Sequence, residues 1–159
     1  SYNAGIDPAW AYGLMRQESR FVTTARSHVG AGGLMQIMPN TAKLIARQMG
    51  ETYNPAALSE MNTNIRYGTF YLSMIHGQLS GNAVLATAGY NAGPNRARRW
   101  QPDFQPISAD QYTESIPLLE TRDYVKHVMT NATHYGVVLG QGPQSLEKRM
   151  SIIPVRNEP

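Results

Sequence analysis

PAWAYGLMRQESRF, Pro8 to Phe21, is the stretch that decides how this chain folds. Trp10, Ala11, Leu14 and Met15 recur at helical spacing, and the next position on their stripe is Glu18. A carboxylate that continues a buried face must be paired, held by donors, or kept partly protonated by desolvation, which lifts its pKa toward the range of a general acid. An ordinary helix-end Glu paired with Arg16 or Arg20 fits this stretch equally well. Just upstream, Ile6-Asp7-Pro8 reads as a helix start: Asp7 can cap, Pro8 suits the first helical position, and Ile6 can staple it.

Working outward, 159 residues with 42% hydrophobic content suit one domain with a real core. Long stretches keep a helical period and no run alternates as a strand does, so the reading is all-α. With no cysteine there is neither a disulfide nor a thiol nucleophile. The net charge of +3 and pI near 9.3 suit a polyanionic partner without requiring one. No apolar run has the length of a membrane helix, no signal-peptide pattern opens the chain, and Ser1 is no initiator. The expectation is one module, the C-terminal one, of a longer protein.

Downstream of Glu18, Gly30, Gly32 and Gly33 allow a tight turn, and Leu34 to Met38 reads as one helical turn stopped by Pro39. The glycines follow no strand and lack the Lys-Ser/Thr of a phosphate loop, which excludes a nucleotide site. Asn40 is expected to cap a helix through Met49 with Leu44 and Ile45 inward, and a long helix follows from about Met61 to Leu79. His76 lacks partners at ligand spacing, so no metal site is expected. Asn82 opens another helix, which ends at AGYNAGP and sets Tyr90 and Asn91 beside Gly93-Pro94. Polar side chains at such an end often line a cleft; a capping Asn and a half-buried Tyr explain them as well. Arg96, Arg98 and Arg99 with Trp100 read as a solvated face rather than a nucleic-acid site. Pro102 to Thr113 reads as irregular, and a last helix spans about Glu120 to Tyr135. Residues 1–140 are taken as the domain and 141–159 as an extension on its surface.

Four stretches, ESRF at Glu18, GLMQIMP at Gly33 to Pro39, YNAGP at Tyr90 to Pro94 and IPLLETRDYV at Ile116 to Val125, resemble in order and spacing the catalytic domain of soluble lytic transglycosylases. That family belongs to the lysozyme-like group. The resemblance implies a goose-type lysozyme-like helical fold with a sugar-binding groove, no cofactor, a periplasmic monomer, and peptidoglycan glycan strands as partner. Carried over, Glu18 is the catalytic acid and base. Ser19 and Ser27 hold the catalytic loop or touch the substrate's acetamido group, Gln36, Met38, Tyr90 and Asn91 line the groove, and Glu120 and Tyr124 border it. Two departures, Gly89 before the tyrosine and Leu119 before Glu120, leave the carboxylate untouched.

The implied reaction cuts the β-1,4 bond between N-acetylmuramic acid and N-acetylglucosamine without water, leaving a 1,6-anhydro end. Most glycosidases need two flanking carboxylates. After Glu18 the next carboxylate in the chain is Glu51, and the matched motifs offer only Glu120 as a partner, so a substrate-assisted path through the acetamido group is expected. A goose-lysozyme-type muramidase is the nearest rival. A non-catalytic peptidoglycan-binding module and a basic nucleic-acid binder rank below it.

Overall fold

Asp7 caps the first helix as its position suggests, its Oδ1 accepting from Ala9 N at 3.0 Å with Pro8 at the first helical position. The computed structural model describes residues 5–142 and 146–157. In chain order its helices are α1 (Pro8–Ser19), α2 (Pro39–Gln48), a 3-10 turn (Pro55–Ser59), α3 (Met61–Gln78), α4 (Ala83–Ala92), α5 (Pro94–Arg99), α6 (Ala109–Ser115), α7 (Leu119–Val138) and α8 (Leu146–Arg149). Among the described residues there is no strand, only isolated bridges. No helix is long and apolar enough to cross a membrane.

The pair α1 and α7 forms the spine. Gly13 meets Val128 and Ala132, while Glu18 meets Tyr124, so the two helices run antiparallel. Gly13 allows the approach: a methyl there would stand 2.7 Å from Ala132 N and 2.8 Å from Val128 O. Leu14, Leu72, Ile75, Leu85, Val125 and Val128, all fully buried, knit α1, α3, α4 and α7 into one core. Trp10 Nε1 donates to Thr87 Oγ1 at 3.0 Å inside it, meeting the need of a buried indole.

Four local expectations are corrected. Gly33 to Gln36 is a turn closed by the Gly32–Ile37 bridge, not a helical turn, because Gly33 and Gln36 hold positive φ of 78° and 48°. Pro39, not Asn40, begins α2, and Met38 precedes it without a side-chain cap. Leu44 points outward at 45% exposure while Ile45 is buried. Pro102 to Thr113 is not wholly irregular, since Ser108 and Gln111 form a reciprocal capping box that starts α6.

Residues 151–157 strap the domain. Ile153 is fully buried and exchanges both backbone hydrogen bonds with Ile107, at 3.1 and 2.8 Å. Asn82 Nδ2 donates to Ile152 O, and Gln101 Nε2 donates to Pro154 O.

Candidate active site

Glu18 occupies the last turn of α1, partly buried, just before Arg20 and Phe21 take left-handed φ of 52° and 64° and turn the chain away. Burial pushes its carboxyl up to about 7 and the charge of Glu120 adds to the rise, while a hydrogen bond from Tyr124 works against it. That bond, Tyr124 Oη to Glu18 Oε1, is 2.7 Å. Tyr124 and Tyr90 are both held well above the ordinary phenol range by burial and by Glu18's charge, so both stay donors at neutral pH. Neither Arg16 nor Arg20 pairs with Glu18: the partner is the phenol.

The loop beneath is locked by side chains. Gln36 Nε2 donates to Ala25 O and Gly33 O at 3.0 and 2.8 Å, tying the glycine turn shut. Ser27 exchanges bonds with Ala31, its N to Ala31 O at 2.9 Å and its Oγ accepting from Ala31 N at 3.0 Å. Ser19, buried, donates to Met15 O and accepts from Phe21 N, both at 3.2 Å, which fastens the end of α1. Tyr90 Oη donates to Met35 O at 2.7 Å, and its ring lies 5.6 Å from that of Tyr71.

On the other side, Asn91 Oδ1 accepts from Thr121 Oγ1 at 2.8 Å, joining the end of α4 to the start of α7. Beside that bond lies a cleft of about 270 Å³ lined by Asn91, Ala92, Arg96, Leu118, Glu120 and Thr121, among others. Tertiary packing thus draws Glu18, Tyr90, Asn91, Glu120 and Tyr124 into one neighbourhood. Gln36, Ser27 and Ser19 serve the loop around it, and Met38 stands exposed at the entrance to α2. Among the described residues no group of three or more His, Asp or Glu side chains gathers to hold a metal ion.

Three contributors escape sequence reasoning. Asn64, 1% exposed in α3, accepts from Met35 N at 2.8 Å and donates to Gly32 O and Leu58 O at 2.9 Å each. Its signal is an amide on the inward stripe with Gly68, Leu72 and Ile75. Thr121 and Tyr71 carry no comparable signal, since their partners are distant in sequence.

Residues 1–111 match the family model described as the Transglycosylase SLT domain. The chain belongs to the SLT transglycosylase domain family. The soluble lytic murein transglycosylase of Salmonella typhimurium is 41% identical to this SLT domain over 139 residues, 86% of this chain and 22% of that protein. Among solved structures, an inactive mutant of the lytic transglycosylase Slt from Pseudomonas aeruginosa superposes with TM-score 0.87 at 43% identity, over 94% of this chain and 25% of that one. The 70-kDa soluble lytic transglycosylase from Escherichia coli gives 0.82 at 36%, over 94% and 24%. The SLT domain thus spans about a quarter of the length of these relatives, and its fold is the lysozyme-like helical one. The matched segment carries Glu18, the glycine turn and Tyr90-Asn91, whereas Tyr124 lies beyond it and reaches the site only because α7 packs on α1.

Proposed function

We propose that this domain is a peptidoglycan lytic transglycosylase that uses Glu18 as acid and then as base. The observation that carries the reading is a partly buried carboxyl raised to about 7 beside a phenol donor, at the end of a helix that leads into the loop closed by the Gln36 amide. The names of the relatives support the same polymer.

In the first step Glu18 gives its proton to the glycosidic oxygen as the bond to the anomeric carbon breaks. The substrate's acetamido oxygen bonds to that carbon, forming an oxazolinium. In the second step O6 of the same sugar displaces the acetamido oxygen and yields its proton to Glu18, restoring the starting acid and producing the 1,6-anhydro ring. No water enters. Tyr124, donating to Oε1, holds the carboxylate between the steps, and its retained proton keeps it a donor throughout. Asn91, whose oxygen is committed to Thr121, has its amide nitrogen to offer an acetamido carbonyl, and Ser27 stands on the loop that Gln36 ties shut. Ser19, with its hydroxyl engaged at both lone pair and proton, holds the loop instead of the sugar. Positioning replaces the missing protein nucleophile. We place the reaction in the periplasm.

Mass spectrometry of products released from purified sacculi tests the reading. Anhydromuropeptides are expected. Reducing muropeptides would assign a muramidase on the same fold, and intact sacculi a binding module.

A further inference from the structure

We infer that the outer seam between α1 and α7 is a second binding site, taking carboxylate-bearing peptide stems of the polymer away from the bond that Glu18 attacks; this rests on the polymer proposed above. A groove of about 290 Å³ runs there, lined by Arg16, Gln17, Arg20, His127 and Asn131. Its lining brings two guanidinium groups, an imidazole and two amides, and no carboxylate; Asp123, one turn before His127 on α7, is not part of it. Three arginines elsewhere are matched with acids, Arg66 with Glu51, Arg149 with Asp7 and Arg156 with Asp103. Arg16 and Arg20 have no ion pair among the described residues.

At about 100° per residue, Arg16 lies roughly 200° round the helix from Glu18, so groove and catalytic carboxyl occupy opposite sides of α1. Guanidinium forks fit carboxylates in bidentate fashion, and the amides supply both donors and acceptors for peptide groups. An aromatic surface borders the same seam. Tyr12 is one turn before Arg16, Phe21 follows Arg20, and Tyr135 is one turn after Asn131. Their ring centroids lie 5.9 to 6.3 Å apart, with Tyr12 and Phe21 42% and 39% exposed. Phe21 keeps this place at a left-handed φ that a bulky residue seldom adopts. Aromatic faces of this kind pack against sugar C–H groups while the cations hold the acidic stem.

The test compares Arg16→Gln/Arg20→Gln with its parent, both in a Glu18→Gln background so that nothing is cleaved, by co-sedimentation with intact sacculi and with amidase-stripped glycan strands. On intact sacculi the double variant is expected to bind roughly tenfold more weakly, in a salt-dependent manner, with Arg16→Lys/Arg20→Lys recovering part of the loss. On stripped strands variant and parent are expected to bind alike. Equal binding to intact sacculi, or a deficit that persists unchanged on stripped strands, would overturn the proposal. A groove that binds inorganic phosphate by NMR without any effect on sacculus binding is a small-anion site, and that result would also overturn it. With native Glu18 restored, the arginine variants are expected to turn over short stem-free glycans at the parental rate; a loss there with normal sacculus binding would assign the arginines to catalysis instead. Should Glu18→Gln retain turnover, the proposed function falls while the binding comparison still stands.

Discussion

Glu18 is a carboxyl that the fold keeps uncomfortable. Its folded value of about 7 lies above the 4.5 of an unperturbed Glu, so between those values the native state holds a proton that the unfolded chain has lost. The stability tied to that proton is complete below about 4.5 and is lost as pH rises through 7. Glu18→Gln is therefore expected to cut anhydro-product formation by roughly 10³-fold or more. Above pH 7 it should also be more stable than the parent, by on the order of 1–3 kcal/mol, an advantage that shrinks toward pH 4.5. Calorimetry at both pH values checks the second half. Because acid catalysis needs the protonated form, kcat/KM should fall as pH rises through about 7. Tyr124→Phe removes the bond that favours the carboxylate, which moves that alkaline limb to higher pH; a pH–rate profile with an unmoved limb would disconnect Tyr124 from the acid. Asn64 belongs to the same scale. Asn64→Leu leaves Met35 N and Leu58 O without partners and Gly32 O with only its bond from Ile37 N, so a loss of about 2–4 kcal/mol in denaturant unfolding is expected, with weaker turnover because Met35 O also receives Tyr90.

At the scale of elements, the site depends on how closely α7 lies on α1. Gly13→Ala would set its methyl against backbone atoms of Val128 and Ala132, which cannot yield as a side-chain tip can. The helices must separate, costing about 1–3 kcal/mol and lengthening the Tyr124–Glu18 bond. Gly77→Ala in α3 is the control, because nothing lies within 4 Å of the added methyl. It should be neutral or stabilising by up to about 1 kcal/mol. Equal thermal shifts for the two variants would show that close packing at Gly13 is not what matters. Much of this level is legible in the sequence. The Asp7-Pro8 start and the stripe from Trp10 to Glu18 yield α1, and Asn82 marks the start of α4, because caps and periodicity act within a few residues. The turn at Gly33 to Gln36 is not legible, since a positive φ at Gln36 is sustained by bonds to Ala25 and Gly33 instead of by its own preference. The capping box of α6 was present as Ser108 and Gln111, masked by the prolines before it.

Over the whole molecule, the chain beyond α7 closes back on the body. Ile153 buries its side chain completely and bridges Ile107, while the neighbouring backbone is held by Asn82 and Gln101. Ile153→Ala is expected to lower stability by about 2–4 kcal/mol in a denaturant titration. Product chemistry should not change, since the strap touches neither Glu18 nor Tyr124. A variant as stable as the parent would make the strap dispensable.

By itself the sequence determined the helical class, the carboxylate that continues a buried stripe, and the motifs that resemble one family, because each is written in residues close together along the chain. Only the tertiary structure decided that Glu18 answers to Tyr124, 106 residues away, and that Asn91 is held by Thr121. It alone decided that Asn64 fastens the glycine turn from another helix. A pKa is set by what displaces water from a group and what donates to it, and those neighbours arrive only when distant helices pack.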